Sequence, residues 1–262
     1  MSRPAVLGFF GLMNKEIRRF GKVAVQTVVT PFVTSFLYLL IFGVSLGASI
    51  KLSSGLSYLS FLIPGLVMMS VLNNCYQNSS SSIISGKFSG DLEDLRRVPL
   101  TSNQIVWALS FGGLVRGILV GCITFFVGLL CIKNIDGAWL GIQHPGVLLY
   151  FILIGGLSFA QLGISVAFWA KTFDQASAFG AFVLLPLTYL GGVFFSIENL
   201  HPFWQTLSKF NPLLYLINGV RFGILGVSDV SVSVAAIVAF IGLVFFYCLA
   251  RVAMRTGSFN RW

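Results

Sequence analysis

Long stretches without a charged residue dominate the pattern of hydrophobic and polar positions along this chain. They cover residues 23–50, 52–86, 137–170, 175–197 and 230–250. A helix needs about 20 apolar residues to cross a bilayer core, whereas the strands of a membrane barrel alternate polar and apolar residues in pieces of about 10. The pattern therefore predicts an all-α, polytopic membrane protein.

The charge-free stretches predict six transmembrane helices. Their approximate ranges are 25–46, a stretch within 58–85, a helix that ends near 132, then 147–170, 176–196 and 232–249. Pro31 is expected to bend the first span near its start. Neither an internal repeat nor a soluble domain is recognisable, so we interpret residues 1–262 as one transmembrane domain.

An amphipathic segment precedes the first span. Apolar residues recur at helical spacing over residues 4–22, and Asn14, Lys15 and Arg18 lie on the opposite face. This pattern favours a helix that lies in the membrane interface, which we place at 1–22. The alternative is a cytosolic extension of the first span.

A short charged segment, 87–98, separates the second and third spans. Phe88, Leu92 and Leu95 share one helical face, and Pro99 ends the helix. The remaining positions are mostly charged: Asp91, Glu93, Asp94, Arg96 and Arg97. The pattern predicts either a partner-binding helix or an ordinary surface helix.

The stretch 197–229, between the last two spans, is too irregular to be a simple loop. Residues 202–210 form a short amphipathic pattern, and Asn211 with Pro212 interrupts it. Residues 213–225 are mostly apolar but too few to span, which favours a re-entrant or interfacial helix. Gly226 is expected to end that helix.

The second half of the second span is unusually polar. Asn73, Asn74, Gln77 and Asn78 are followed by four serines. Amide side chains in lipid need polar partners, so either these residues face an internal path or the helix has already left the membrane. Arg116 is the one charge inside a span, and we interpret it first as an anchor at the inner boundary.

Composition and charge narrow the class of protein. The chain is 56% apolar and 10% charged, against about 25% charged residues in soluble domains. The net charge of +9 comes from residues that flank the spans, which argues against nucleic-acid binding. One set of flanks carries 12 Lys and Arg residues and the opposite set carries four. This asymmetry predicts that both termini are cytoplasmic.

The residues of common active sites are missing or badly placed. His144 and His201 are predicted in outer loops, and all eight carboxylates lie outside the apolar spans. The four cysteines have neither metal-ligand nor disulfide spacing, and the chain lacks a phosphate-binding GxxxxGK[ST] motif. We predict no catalytic, cofactor or metal site in this chain, so any uphill transport needs energy from another subunit.

Several motifs together resemble the ABC-2 type permease family, the membrane subunits of ATP-binding-cassette exporters. The stretches that carry the resemblance are LGGVFFSIENL at 190–200, HPFWQTL at 201–207, FNPLLY at 210–215 and GVRFG at 219–223. KEIRRF at 15–20, FLIPGLVMMS at 61–70 and AKTFD at 170–174 are similar to bacterial inner-membrane members.

The resemblance implies an assembly. Two copies of such a permease pair with two cytosolic ATPase subunits, which bind the ATP and Mg²⁺. A coupling helix in the loop between spans 2 and 3 enters the ATPase, and the stretch after span 5 re-enters the outer leaflet to help close the exit. Spans 2 and 5 face each other across the homodimer.

The resemblance and the polar pattern together suggest three sets of functional residues. The ATPase-coupling set is Phe88, Asp91, Leu92, Glu93, Leu95, Arg96 and Arg97. The translocation-path set is Asn73, Asn74, Gln77, Asn78, Gly191, Gly192 and Phe195. The external re-entrant set is Trp204, Asn211, Pro212, Tyr215, Asn218 and Arg221.

The leading functional hypothesis is therefore a multi-pass permease subunit of an exporter in the bacterial inner membrane. It would move a hydrophobic or amphiphilic substrate of the drug, lipid or glycan class, without hydrolysing ATP itself. Two alternatives stay open: an ATP-independent lipid scramblase or facilitator, and a membrane scaffold that transports nothing.

Overall fold

A computed structural model describes residues 3–22, 24–46, 56–95, 98, 100–135, 140–197 and 200–257. Within these ranges every regular element is a helix, which confirms the predicted all-α class. The first helices are α1 (Arg3–Gly21), α2 (Ala24–Tyr38), α3 (Tyr58–Ser89), α4 (Asp91–Asp94), α5 (Ser102–Ile135) and α6 (Pro145–Trp169). They are followed by α7 (Phe173–Phe179), α8 (Leu185–Leu190), α9 (Pro202–Lys209), α10 (Pro212–Leu225) and α11 (Val232–Thr256).

Four of these helices, α3, α5, α6 and α11, are long and apolar enough to cross a membrane. Two shorter stretches are extended by π-helical segments. Leu39–Leu46 continues α2, and Gly180–Leu184 joins α7 to α8. The described helices thus match the predicted spans in order, although only four reach spanning length as single α-helices.

Helix α3 lies at the centre of the bundle because its neighbours present glycines to it. A β-carbon at Gly117 of α5 would overlap Cys75, and one at Gly121 would lie 2.6 Å from Val71. On α6, a β-carbon at Gly163 would lie 2.5 Å from the Tyr76 carbonyl oxygen. Small residues let helix backbones approach closely in membranes, so α5 and α6 pack tightly on two sides of α3.

The outer part of the bundle is less enclosed. Helix α11 packs against α6 and α10 and leaves a stripe of large apolar residues exposed, including Ile237, Ile241 and Phe245. In a chain with several membrane-length helices, such a surface is suited to contact lipid. Helix α10 packs against α3, α6 and α11, so the apolar segment that is too short to span is a buried part of the bundle.

Two predicted boundaries differ from the structure. Helix α3 runs through the polar run without interruption and ends only at Gly90, which has a φ of +83°. The predicted coupling helix is therefore divided between the last turn of α3 and the four-residue helix α4. The predicted fifth span ends at Leu190, six residues early, because Gly192 adopts a φ of +81° and turns the chain.

The glycine packing predicts a position-specific cost for a single methyl group. Gly163→Ala should lower the apparent unfolding temperature in detergent, because overpacking a tight contact costs about 1–3 kcal/mol. Gly242→Ala on α11 is the matched control, since no atom of the described residues would lie within 4 Å of a β-carbon added there. Both changes bring the same gain in helix propensity. Equal unfolding temperatures for the two variants would refute the packing argument.

Candidate functional site

A polar cleft opens along one edge of α3. A cavity of about 680 Å³ lies between α1, α3, α5 and the α7–α8 segment. A second cavity, of about 240 Å³, lies on the side of α2. Asn73, Gln77 and Arg116 line both cavities, so we describe the two together as the polar cleft.

The cleft exists because the rest of α3 is covered. Most of this helix is buried by α5, α6 and α10, but Gln77 is exposed and Asn73 and Asn74 are half-buried. The Asn74 amide donates to the Ser70 carbonyl oxygen at 3.0 Å. The tight contact of Gly117 with Cys75 brings Arg116 of α5 to the same level as these amides.

The C-terminal end of the polar run contacts the N-terminal helix α1. Glu16 of α1 is buried and accepts a hydrogen bond of 2.6 Å from Ser82 and one of 3.5 Å from Asn78. Arg19 donates to Glu16 at 3.1 Å, to the Asn78 carbonyl oxygen at 2.7 Å and to Ser81 at 3.1 Å. Ser81, Ser82 and Asn78 therefore fix α1 to α3, which is a structural role that the sequence pattern did not reveal.

The coupling segment exposes only part of its predicted face. Leu92 is 2% exposed and packs against Gly86, and Leu95 is half-buried against the core. Phe88 is 46% exposed and stacks on Phe173, which is 44% exposed, with the ring centroids 5.6 Å apart. Leu92 is thus an internal anchor, and the exposed apolar surface is the pair of rings.

Two charged positions of the coupling segment lie on the surface. Asp91 and Glu93 are exposed, and Asp91 lies 3.9 Å from the Lys15 ammonium of α1. Exposed pairs of this kind contribute little to stability. Arg96 and Arg97 lie outside the described residues.

Lys87 connects the coupling segment to α6. Its ammonium is fully buried and donates to the carbonyl oxygens of Ala167 at 2.8 Å, Phe168 at 3.3 Å and Ala170 at 3.5 Å. These carbonyls lie at the C-terminal end of α6, where a cation is favoured by the helix dipole. The last turn of α3 and the end of α6 are therefore held together next to α4.

A second polar cluster lies at the opposite end of the bundle. Arg221 of α10 is 1% exposed and donates to the Gly192 carbonyl oxygen at 2.7 Å and to Asn218 at 3.2 Å. Its guanidinium lies 3.7 Å from the Asp229 carboxylate and 3.8 Å from the centre of the Phe61 ring. A cation over an aromatic face is a favourable contact when it is desolvated.

Asp229 connects this cluster to the turn at residues 191–197, which we call the outer turn. Its carboxylate accepts from the Ser196 hydroxyl at 2.9 Å and from the Ile197 amide at 3.2 Å. The Tyr58 hydroxyl donates to the Phe194 carbonyl oxygen at 2.7 Å, which ties the start of α3 to the same turn. The outer turn is therefore fixed by α3, α10 and the loop after α10.

The other residues of the predicted re-entrant set lie in or next to the short helices α9 and α10. Asn211 caps α10 by accepting from the Leu213 amide at 3.0 Å, and it donates to the Leu187 carbonyl oxygen at 2.6 Å. Pro212 is the first residue of α10, and Tyr215 donates to the Lys209 carbonyl oxygen at 2.8 Å. Trp204 lies exposed on α9.

The structure brings together only part of the predicted path. Asn73, Asn74 and Gln77 share the cleft, and Asn78 lies at its α1 side. Gly191, Gly192 and Phe195 instead belong to the outer turn, at the other end of α3. The predicted path does not include Arg116, although an arginine between two charge-free stretches is a signal for it.

Among the described residues, no three His, Cys, Asp or Glu side chains form a group suited to a metal.

Comparisons with known proteins agree on one family. A family model described as "ABC-2 type transporter" matches residues 8–225. The chain is similar to the inner membrane transport permease YadH of Escherichia coli K12, with 40% identity over 243 residues that cover 93% of each protein. It is also similar to nodulation protein J of Rhizobium leguminosarum bv. trifolii, with 25% identity over 258 residues that cover 95% of this chain and 94% of the relative.

The outer cluster predicts a strong effect of removing one carboxylate. Asp229→Ala should lower the free energy of unfolding by about 3–5 kcal/mol, because it leaves the buried Arg221 charge unpaired. Asp91→Ala removes an exposed carboxylate and should change stability by less than about 0.5 kcal/mol. Denaturant unfolding in detergent measures both. A similar small effect of the two substitutions would contradict the role given to Asp229.

The cleft geometry predicts a difference in water access between neighbouring positions of α3. In a variant whose native cysteines are replaced by serine, Gln77→Cys should react with a water-soluble maleimide because position 77 is exposed in the cleft. Ser79→Cys, two residues further on a buried face, should stay unlabelled until the protein is denatured. Equal labelling rates would show that the two faces of α3 do not differ in this way.

Proposed function

This chain belongs to the ABC-2 type transporter family, and we propose that it is the membrane-spanning permease subunit of an ATP-binding-cassette exporter. The observation that carries the proposal is the polar cleft on α3, which presents amides and an arginine to a cavity within the helical bundle. Polar groups at membrane depth are costly, and those that face a cavity commonly mark a substrate or ion pathway. The chain lacks a phosphate-binding loop, so ATP and Mg²⁺ would bind to a separate subunit.

The proposed topology has six spans with both termini in the cytoplasm. The spans are α2 with its π-helical continuation, α3, α5, α6, the α7–α8 segment and α11. The excess of Lys and Arg on one set of flanks supports this orientation. The printed name of the Escherichia coli relative supports placement in the inner membrane.

The ATPase partner would dock on the exposed side of the coupling segment. The stacked rings of Phe88 and Phe173 form its apolar centre, and Asp91 and Glu93 supply charge around it. A buried apolar anchor with a polar rim is typical of protein interfaces. Leu92 would hold the segment in place from inside.

Movement of the ATPase would reach the cleft through rigid contacts. The coupling segment continues directly into α3, and Lys87 fixes it to the end of α6. Arg19 and Glu16 connect α1 to the same part of α3. A displacement at α4 would therefore act on α1 and α3, which line the cleft, and on α6, which packs against α3.

The translocation path would pass between two copies of the chain. The cleft lies between α2 and the α7–α8 segment on an open edge of α3, an arrangement that a second copy would complete. The outer turn, with Gly191, Gly192 and Phe195, would form the exit under the control of Arg221 and Asn218. The substrate class that we propose is hydrophobic or amphiphilic.

The docking surface gives the experiment that tests this function. Phe88→Asp combined with Phe173→Asp should reduce recovery of the cognate ATPase in a pull-down from mild detergent by at least tenfold, because it places charge at the centre of the interface. Phe203→Asp is the matched control, since Phe203 is an exposed ring on α9, on the proposed outer side. The measurement is the mass and ATPase activity of the recovered complex.

Each outcome decides between the hypotheses. A complex of two permeases with two ATPases, lost only in the double variant, supports the exporter. Lipid or solute flux in liposomes without any ATPase would favour a facilitator. A partner that binds without flux under any condition would favour a scaffold. Loss of the complex with Phe203→Asp would overturn the assignment of the docking surface.

A further inference from the structure

Arg116 is the one basic side chain common to both cavities of the polar cleft. It is half-buried, and its Nε is inaccessible to solvent and has no hydrogen-bond partner among the described residues. Buried charges in proteins are normally paired. Within the described part of the chain no carboxylate pairs with Arg116 or lines either cavity.

Two other arginines of the bundle, Arg19 and Arg221, are paired with carboxylates. Arg19, on the rim of the larger cavity, is satisfied by Glu16, Ser81 and the Asn78 carbonyl. Arg221 is paired with Asp229 and with backbone. The described residues thus supply a carboxylate for each of these two guanidinium groups, although the Nε of Arg221 has no partner, whereas Arg116 lines both cavities without a carboxylate, as a group that binds an anionic ligand would.

The surroundings of Arg116 favour an anion that also has an apolar part. Asn73 and Gln77 add amide donors beside the guanidinium, and Arg19 lies at the rim of the larger cavity, where it is paired with Glu16. On the other side, Pro31, Leu66 and Met69 add apolar surface to the smaller cavity, whose remaining lining is mostly hydroxyl and amide side chains. Beyond this surface, α2 carries large exposed apolar residues along which a hydrocarbon chain could lie.

The depth of Arg116 agrees with the level of a lipid headgroup. The segment from Asn73 to Gln77 lies about 23–29 Å along α3 from Tyr58, at 1.5 Å per residue. The hydrocarbon core of a bilayer is about 30 Å thick. With Tyr58 near the outer surface, Arg116 lies close to the inner boundary, where the charged ends of inner-leaflet amphiphiles are found.

We propose that the polar cleft binds the anionic headgroup of a membrane amphiphile, with Arg116 as the main charge partner and Asn73 and Gln77 as additional donors. Guanidinium groups bind phosphate, sulfate and carboxylate through paired hydrogen bonds. The inference rests on the proposed function, because it makes this amphiphile the cargo. It narrows the proposed substrate class to molecules with a negative charge next to an apolar tail.

Direct binding without any ATPase tests this inference. The purified full-length protein is titrated with fluorescent short-chain phosphatidylglycerol and, separately, with phosphatidylcholine of the same chain length. The wild type should prefer phosphatidylglycerol, Arg116→Gln should weaken that binding at least tenfold, and Arg116→Lys should retain part of it. Asn73→Leu and Gln77→Leu should weaken it less.

Arg251→Gln provides the matched control. Arg251 is also half-buried, with an Nε that has no partner among the described residues, but it lies on α11 and lines neither cavity. It should leave the preference for phosphatidylglycerol unchanged. The unfolding temperature of Arg116→Gln should equal or exceed that of the wild type, because the substitution removes a desolvated charge that the described residues leave without a carboxylate partner.

Different results would contradict the Arg116 site, the amphiphile as its ligand, and the exporter function. Equal binding by the wild type and Arg116→Gln, or an equal loss with Arg251→Gln, would overturn the site. Full competition by millimolar inorganic phosphate or glycerol 1-phosphate would assign the cleft to a soluble anion and overturn the amphiphile. An ATPase complex without anionic preference would refute this inference alone, whereas anionic preference without an ATPase complex would refute the exporter alone.

Discussion

The close approach of α5 and α6 to α3 is the constraint on which the rest of the structure depends. At the contacts with α3, the neighbouring helices carry glycine at positions 117, 121 and 163, where a β-carbon would overlap α3. This close packing lets a 32-residue helix with a markedly polar second half lie inside the bundle. Helices in lipid gain little from the hydrophobic effect and associate through close packing. Because α5, α6 and α10 occupy the other sides, only one edge of α3 is left for a cleft.

The polar run of α3 serves two purposes that follow from this enclosure. Asn78, Ser81 and Ser82 bind the Glu16 and Arg19 side chains of α1. The preceding amides, Asn73 and Gln77, stay available in the cleft. The cost of polar groups at membrane depth is thus met internally at one end of the run and, in our proposal, by cargo at the other.

The two ends of the bundle are held by different chemistry. At the end with α4, the Lys87 ammonium binds the carbonyl oxygens at the end of α6, and Leu92 is buried beside it. At the opposite end, Arg221 and Asp229 hold the outer turn. Both clusters join segments that are distant in the sequence, so a displacement of α3 would change the contacts at both ends of the bundle. This geometry suits a subunit that is driven at one end and opens at the other.

The sequence by itself determined the all-α membrane class, the order of the apolar helices, the short helices α9 and α10 with the break between them at Asn211 and Pro212, and the family. Those features follow from local hydrophobicity, from turn residues and from motifs that are read along the chain. The roles of Leu92, Asn78 and Arg116 were decided only by the tertiary structure. Leu92 shares a helical face with Phe88 in the sequence, yet Gly90 turns the chain and buries it. Asn78 and Gln77 are equally polar neighbours, and only the packing of α1 makes one a structural partner and leaves the other in the cleft. Arg116 is an anchor by its position in the sequence, but the contact of Gly117 with α3 brings it beside the amides. Burial and pairing depend on which helices meet, and a single sequence read along its length does not contain that information.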